Sequence, residues 1–389
     1  IIDFKCKFEN SEIYTIESYE CTKTIPIIDN ENYISMPHYL TDDYNEIKKI
    51  ISHCKKNKTL LRYIDLGELI KFILYINENV NYLLKNKRYL LENYFTNMSF
   101  ITMENLKKYY LSVLDNIKDD SWKDIYRYFI HNRVRKYDSN IHFVTNDAYT
   151  LTDGPCIFLT DNVVKIAKFC LQEAKISDKI LANILTTIKY NNKITDKICC
   201  LQKLYDDGTS KEKEKKMTDG RVEPEMKRIM SEINKLSSTI KSVIIDPLYV
   251  PNTKQHLEKY ARDKTIKGLP FTSDITESIV EEIMLIDDID NMWKILLLLG
   301  IGVFTNHQSI CYIEIMKKLA QEQKLYLIIA STDYIYGTNY QFCHSYISKD
   351  LGYISQEKCI QAMGRVGRNN VQKNYSIRFR NNELINKLF

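Results

Sequence analysis

The hydrophobic positions in the first third of the chain predict short strands followed by a run of helices. Residues 1–45 alternate apolar and polar positions, as in Ile13-Tyr14-Thr15-Ile16, and this alternation is typical of short strands and loops. From Tyr44 to about Asn97, and again from Met103 to Arg135, apolar residues recur at helical spacing. We therefore expect a helical linker or subdomain over residues 46–140.

The pattern changes after Gly154, where an apolar run, a polar turn and an amphipathic segment predict a strand, a loop and a helix. Beyond Pro270 the two kinds of element alternate. The predicted elements there are a helix near Ile289–Leu299, a strand Ile301–Thr305, a helix Gln308–Gln323, strands Leu325–Ala330 and Cys343–Ile347, a helix Gln356–Met363 and a strand Tyr375–Phe379. Such alternation predicts an α/β fold with a parallel sheet covered by helices on both faces.

Residues 175–285 interrupt this alternation with a helical, charged insertion. The segment from Tyr205 to Arg228 is dense in lysine and glutamate, and helical spacing returns from Met226 to Ile240. The run from Lys211 to Lys216 has two interpretations, a solvated helix face or a contact with nucleic acid. The solvated face is the more common role of such a run.

Composition excludes some classes of protein and leaves the function open. The longest apolar run, Ile295–Phe304, is half of the roughly 20 residues that a membrane-spanning helix needs. A net charge of +5 is too small to identify a nucleic-acid-binding protein by itself. The ten cysteines form no metal-binding spacing, which predicts free thiols in a reducing, intracellular compartment. The excess of Ile, Lys, Asn and Tyr suits an AT-rich genome, such as that of a large DNA virus, for which the virion or the viral factory in the host cytoplasm is the expected location.

The most specific segment is Gln361-Ala362-Met363-Gly364-Arg365-Val366-Gly367-Arg368, a helix end followed by two glycine-arginine pairs. Arginine binds phosphate well because its planar guanidinium donates two hydrogen bonds at once and stays charged. One interpretation is that Arg365 and Arg368 reach a nucleotide. The other is a basic helix C-terminus, in which Gly364 or Gly367 provides a left-handed cap.

A second polar segment follows the predicted strand that ends at Ala330. Its side chains Ser331, Thr332, Thr338 and Asn339 are hydroxyls and an amide, which contact a phosphate backbone without reading the bases. An ordinary turn after a strand is the alternative interpretation of this segment alone. In a parallel sheet, ligands bind beyond the carboxyl ends of the strands. We therefore expect these loops to lie at the ligand-binding edge.

Together these segments resemble the second RecA-like lobe of superfamily 2 helicases, closest to the DExH branch. Residues 330–339 resemble motif V and residues 361–368 resemble motif VI, while Pro155–Thr160 is similar to motif IV and Gly300–Phe304 to the segment before the central helix of the lobe. The resemblance covers about half of the chain. It implies a RecA-like lobe formed by residues 141–174 and 286–389.

The resemblance also implies roles for single residues. Arg365 and Arg368 would be catalytic arginine fingers, an effect worth about 10³ to 10⁵ in rate. The implied ATP-binding residues are Gln361, Gly337, Asp333, Arg365 and Arg368. The implied nucleic-acid-binding residues are Thr160, Asp161, Thr332, Thr338 and Asn339. The expected cofactors are ATP and Mg²⁺, and the expected partners are RNA or DNA and a first RecA-like lobe that holds most of the metal.

The chain lacks the sequences with which a first lobe binds ATP. None of its eleven glycines is followed by lysine, and it contains no Asp-Glu pair, so neither a phosphate-binding loop nor the Mg²⁺-holding carboxylate motif is present. The chain begins with Ile1, and we expect it to be an excerpt of a longer protein, with residues 1–45 as the tail of an upstream lobe. Two alternatives to a helicase remain, a catalytically inactive helicase-like binding or scaffolding module and a translocase on duplex DNA.

Overall fold

A computed structural model describes residues 6–8, 23–135, 154–174, 176, 178–215, 224–260, 271–307, 309–335, 340–367 and 375–389. The chain divides into two compact units. Unit 1 comprises Ile1–Asp138, Ile354–Gly367 and Lys373–Phe389, and unit 2 comprises Ser139–Tyr353 and Arg368–Gln372. These units divide the chain differently from the four predicted segments, because unit 1 combines the N-terminal third with residues 354–367 and 373–389.

The described part of the chain contains seven strands and a larger set of helices. The strands are β1 (Ile27–Ile28), β2 (Ile34–Ser35), β3 (Cys156–Leu159), β4 (Ile301–Phe304), β5 (Leu327–Ala330), β6 (His344–Ile347) and β7 (Ser376–Phe379). The helices are α1 (Tyr44–Lys56), α2 (Leu66–Glu78), α3 (Val80–Leu83), α4 (Leu91–Tyr94), α5 (Met103–Asp115), α6 (Trp122–His131), α7 (Val163–Ala174), α8 (Asp178–Lys215), α9 (Pro224–Ser237), α10 (Lys254–Tyr260), α11 (Glu277–Met284), α12 (Asn291–Leu298), α13 (Ile310–Gln321), α14 (Gln356–Met363) and α15 (Asn382–Leu388). The predicted α/β fold, with a mostly parallel sheet surrounded by helices, is confirmed.

Unit 2 contains four parallel strands in the order β6-β3-β5-β4. Every residue of these strands is buried, as expected for parallel strands that are covered on both faces. The register places Leu159 beside Ala330 and Ile347, and Ala330 beside Phe304. The four strands therefore end together, and the loops that follow them meet at one edge.

Helix α7 packs on these strands because its sequence has one continuous apolar side. Its buried residues are Val163, Ala167, Cys170 and Ala174, a spacing that places them on one helix face. The 38 residues of helix α8 include the lysine-rich run as far as Lys215. The side chain of Asn191 on α8 binds Lys241 through both backbone groups, at 2.7 and 3.0 Å.

Unit 1 places β1 between β2, which is antiparallel to it, and β7, which is parallel. Its helical part encloses a cluster of aromatic rings around His38, including Phe72, Tyr110 and Phe129. Two hydrogen bonds lie within this core, while His38 Nε2 is buried without a hydrogen-bond partner among the described residues. His38 Nδ1 lies 2.7 Å from the Tyr110 hydroxyl, and the Tyr44 hydroxyl donates to the Leu114 carbonyl at 2.8 Å.

Helix and strand bounds agree closely with several predictions. Helix Gln356–Met363 coincides with its prediction, and the predicted strand Tyr375–Phe379 is Ser376–Phe379. The predicted alternation around Ile13–Ile16 lies outside the described residues. No helix within the described ranges is both long enough and apolar enough to cross a membrane.

Candidate functional site

The loops after β3, β4 and β5 surround a cavity of about 410 Å³ at the carboxyl edge of unit 2. Parallel sheets of this kind bind ligands at this edge, since the loops there converge and are free to vary. The side chains that line the cavity are mostly polar, with apolar groups on two sides. They are Asp161, Asn162, Val163, Val164, Phe304, Thr305, Asn306, Ser331, Asp333 and Tyr334.

The loop after β3 is fixed by a carboxylate from the loop after β6. Thr160 Oγ1 donates to Asp350 Oδ2 at 2.7 Å. The backbone amides of Asp161 and Asn162 donate to the same oxygen, at 3.2 and 3.3 Å. Thr160 itself is fully buried. The Thr160 hydroxyl and the two backbone amides before helix α7 could bind an external anion, but they already bind the carboxylate of Asp350.

Asp350 stays ionised in this position because its hydrogen bonds outweigh its burial. Partial burial pushes the pKa of its carboxyl up, while donors from Thr160, Ser348 and the two backbone amides hold the pKa below the ordinary value. Sequence reasoning did not select Asp350. The sequence feature that could have indicated Asp350 was the polar run Ser348-Lys349-Asp350 directly after a predicted strand.

The loop after β5 begins with a short 3₁₀ helix, Thr332–Ile335. Thr332 is buried and Asp333 is exposed at the cavity. The Tyr334 hydroxyl donates to Asn306 Oδ1 at 3.1 Å, which connects this loop to the one after β4. Three predicted residues of this segment, Gly337, Thr338 and Asn339, lie outside the described residues.

Residues 361–367 of the segment that resembles motif VI belong to unit 1. Helix α14 buries Cys359, Ala362 and Met363, and the chain then turns through Gly364 and Gly367. Gly364 has an ordinary helical φ of −64°, whereas Gly367 has a φ of +67°. Gly367 therefore provides the left-handed position, and a side chain there would also press on Ile25 and Tyr375.

Two basic side chains of unit 1 hold this glycine turn in place. Arg62 Nη2 donates to the Gly367 carbonyl at 2.7 Å, and Lys23 Nζ donates to the same oxygen at 2.9 Å. Arg62 also reaches the Val366 carbonyl at 3.3 Å. Sequence reasoning missed both residues because they lie some 300 positions away from the turn.

The predicted site residues are thus divided between the two units. Thr160, Asp161, Thr332 and Asp333 meet at the carboxyl edge of unit 2, with Asp161 and Asp333 on the same cavity. In unit 1, Gln361 is exposed and Arg365 is half-buried. Arg368 lies outside the described residues. All of these roles stay predictions.

Two carboxylates give the cavity in unit 2 an acidic character. Asp161 and Asp333 are carboxylates, and neither lysine nor arginine lines the cavity in the part of the chain that the structure describes. Carboxylates repel phosphate and accept hydrogen bonds from hydroxyl and amino groups. The described residues also contain no group of three or more His, Cys, Asp or Glu side chains that could hold a metal ion. The two carboxylates therefore favour a ligand that donates hydrogen bonds over one that presents bare phosphates.

No family model matches the chain, and no curated protein matches it significantly.

Proposed function

We propose that this chain is the C-terminal motor lobe of an ATP-dependent superfamily 2 helicase. In this role it supplies arginine to ATP and contacts one strand of nucleic acid. The observation that carries the proposal is the meeting of two segments that are far apart in sequence. The Thr160 amide donates to the Ala330 carbonyl at 3.1 Å, so the segments that resemble motifs IV and V leave adjacent parallel strands at one edge. A lobe that binds a ligand through both motifs needs this adjacency.

The conformation of the arginine-bearing turn also supports the proposal. Arg365 directly follows helix α14 and Gly364, and the turn is anchored by Arg62 and Lys23. An arginine that neutralises charge on a phosphoryl group works best when its backbone is already in position. The role of the turn would therefore be to present the guanidinium of Arg365 without further ordering.

In this proposal, the phosphates of ATP and the Mg²⁺ ion bind outside the cavity of unit 2. Because the cavity of unit 2 is lined by carboxylates and acceptors, it does not suit a triphosphate. Bound ATP would supply the free energy of the motor, with most of its phosphate contacts coming from a partner lobe. In the described part of this chain, the predicted contribution to the phosphates is Arg365.

The proposal is tested by ATP hydrolysis in the complete gene product, with and without single-stranded nucleic acid. Arg365→Ala and Arg368→Ala should each lower stimulated hydrolysis by about 10³ or more, and Arg365→Lys should restore only part of it because an ammonium group lacks the planar fork. Arg127→Ala is the control, since this arginine side chain is 76% exposed on helix α6. Hydrolysis that is unchanged in both finger variants would refute the finger assignment, and a complete gene product that does not hydrolyse ATP would rule out the motor function.

A catalytically inactive helicase-like module is the second candidate. It is favoured by the sequence, which has no phosphate-binding loop, and by the acidic character of the cavity. This candidate predicts that the complete gene product binds a nucleic-acid strand but does not hydrolyse ATP. The same assay therefore decides between the two.

A further inference from the structure

An exposed tyrosine stands at the carboxyl edge of unit 2. Tyr353 follows β6 and the 3₁₀ helix Lys349–Leu351, and it is 69% exposed. Its hydroxyl donates to Asp161 Oδ1. Asp161 lines the cavity, so the ring is attached to the rim of the candidate site.

The ring of Tyr353 is held in one orientation although it faces solvent. An exposed tyrosine ordinarily samples several rotamers, and holding it in one costs conformational entropy. The hydrogen bond to the Asp161 carboxylate, helped by nearby Asp350 and Asp333, raises the pKa of the phenol to about 12, and a phenol is protonated and able to donate at neutral pH even at its ordinary pKa. A flat aromatic face is thus presented beside the cavity before any ligand arrives.

The surroundings of the ring indicate what it contacts. Val164, at the start of helix α7, is a further exposed apolar group and lines the cavity below. The carboxylates of Asp161 and Asp333 repel phosphate but accept hydrogen bonds from amino and imino groups. An unpaired nucleobase combines an aromatic face with such donors at its edge, whereas the nucleic-acid backbone offers neither.

We propose that Tyr353 stacks on an unpaired base of a single nucleic-acid strand and that Asp161 positions its ring. The inference rests on the proposed function and deepens it, because it assigns this edge to a base. The predicted role of Asp161 changes accordingly. Its carboxylate would orient Tyr353 and accept from the base, and it would not contact a phosphate.

The test compares binding of two labelled probes to the full chain. The first is a single strand of about 12 nucleotides, in thymidine and uridine versions, and the second is an abasic strand of the same length and charge. Tyr353→Ala should weaken binding of the first probe by about tenfold, the effect of losing one stacked base, and should leave binding of the abasic strand unchanged. Tyr353→Phe keeps the ring but frees it, so a loss of only about threefold is expected.

Tyr82→Ala is the matched control, because Tyr82 in unit 1 is 77% exposed and has no role in the proposal. Equal binding of the base-containing probe by Tyr353→Ala and the unmodified chain would overturn the stacking proposal alone. An equal loss on both probes would also overturn it, since stacking requires a base. If the unmodified chain binds neither probe, the proposed function fails and the stacking proposal falls with it.

Discussion

The hydrogen bond between Thr160 and Asp350 makes a measurable prediction about the candidate site. It connects the loop after β3 to the loop after β6, across a sequence separation of 190 residues. Asp350→Ala removes the acceptor of the Thr160 hydroxyl and of two backbone amides, and also the partner of the Ser348 hydroxyl. We expect this change to destabilise the edge of unit 2 while leaving the buried strands intact.

The size of the effect depends on which donors water can reach. Thr160 is fully buried, so its hydroxyl loses its acceptor without replacement, at a cost of about 1 to 3 kcal/mol. Asp161 and Asn162 are exposed, so water takes the place of the carboxylate at their amides, at roughly 0.5 kcal/mol each. With the lower end of the range for Thr160, the losses for Asp350→Ala sum to about 2 kcal/mol. Thr160→Val should cost about 1 kcal/mol, because the carboxylate keeps its other donors.

Hydrogen exchange measured on peptides that cover β3 and β6 tests this estimate within unit 2. A loss of about 2 kcal/mol corresponds to roughly thirtyfold faster exchange where opening limits the rate. Once Asp350 is alanine, Thr160→Val should add almost nothing, because both partners of the bond are then gone. If the two changes add within about 0.3 kcal/mol, the bond contributes nothing and the reasoning is refuted.

The stabilisation by Asp350 should also depend on pH. Since the folded pKa of Asp350 is lowered, its stabilisation is complete above the unfolded pKa of about 4 and is lost as the pH falls through the folded value.

Three further predictions concern other parts of the fold. The pKa of His38 is held well below 6.5 by burial and by the charge of Arg133. Unit 1 should therefore lose stability as the pH falls below about 6.5, by at most about 1.4 kcal/mol per pH unit. Urea unfolding at several pH values should show this slope, and His38→Gln should abolish it. Gly300→Ala should lower the free energy of unfolding by about 1 to 3 kcal/mol, because Gly300 has a φ of +81° and a methyl group there would overlap Ser273. Thermal unfolding measures this loss, and a melting temperature equal to that of the unmodified chain would contradict the prediction. Arg62→Ala removes a donor from the glycine turn and should accelerate amide exchange in residues 364–367 by about tenfold. Unaltered exchange there would show that the turn is stable without the Arg62 hydrogen bonds.

Local sequence signals predicted the elements whose causes are local. Helix α14 was predicted at its observed bounds, and the structure shows that its causes are local: the Ser355 side chain accepts from the Lys358 amide, and its buried residues share one face. Strand β3 was predicted with the same success, since four apolar residues between polar turns are typical of a buried parallel strand.

Short strands that depend on distant partners could not be predicted in the same way. Strands β1 and β2 are two residues long each, too short for a period to be seen. Ile27 is in a strand because it pairs with Ser35 on one side and Ile377 on the other. Nothing near Ile27 in the sequence indicates a partner 350 positions away.

The candidate site shows the same limit for single residues. Thr332 was selected because it lies in the polar segment after a strand, and Thr160, Asp161 and Asp333 were selected through the resemblance. The parallel pairing of β3 and β5 places these residues at one edge. The roles of Asp350, Arg62 and Lys23 are set by tertiary contacts, and a lone acidic or basic residue is ordinarily solvated. Polar residues that support a site from another loop are therefore the part of a site that one sequence reveals least.

The charge distribution restricts how nucleic acid could bind to any motor that contains this chain. The carboxyl edge of unit 2 presents Asp161, Asp333 and Asp350, and the described residues place no cation on its cavity. Phosphate is repelled by such an edge, by about 1 kcal/mol for each carboxylate at 4 Å even in water. A strand bound there would therefore face the edge with its bases and direct its backbone outward. Under the proposed function, the arginine turn of unit 1 would act on nucleotide phosphates, and the acidic edge of unit 2 would act on bases.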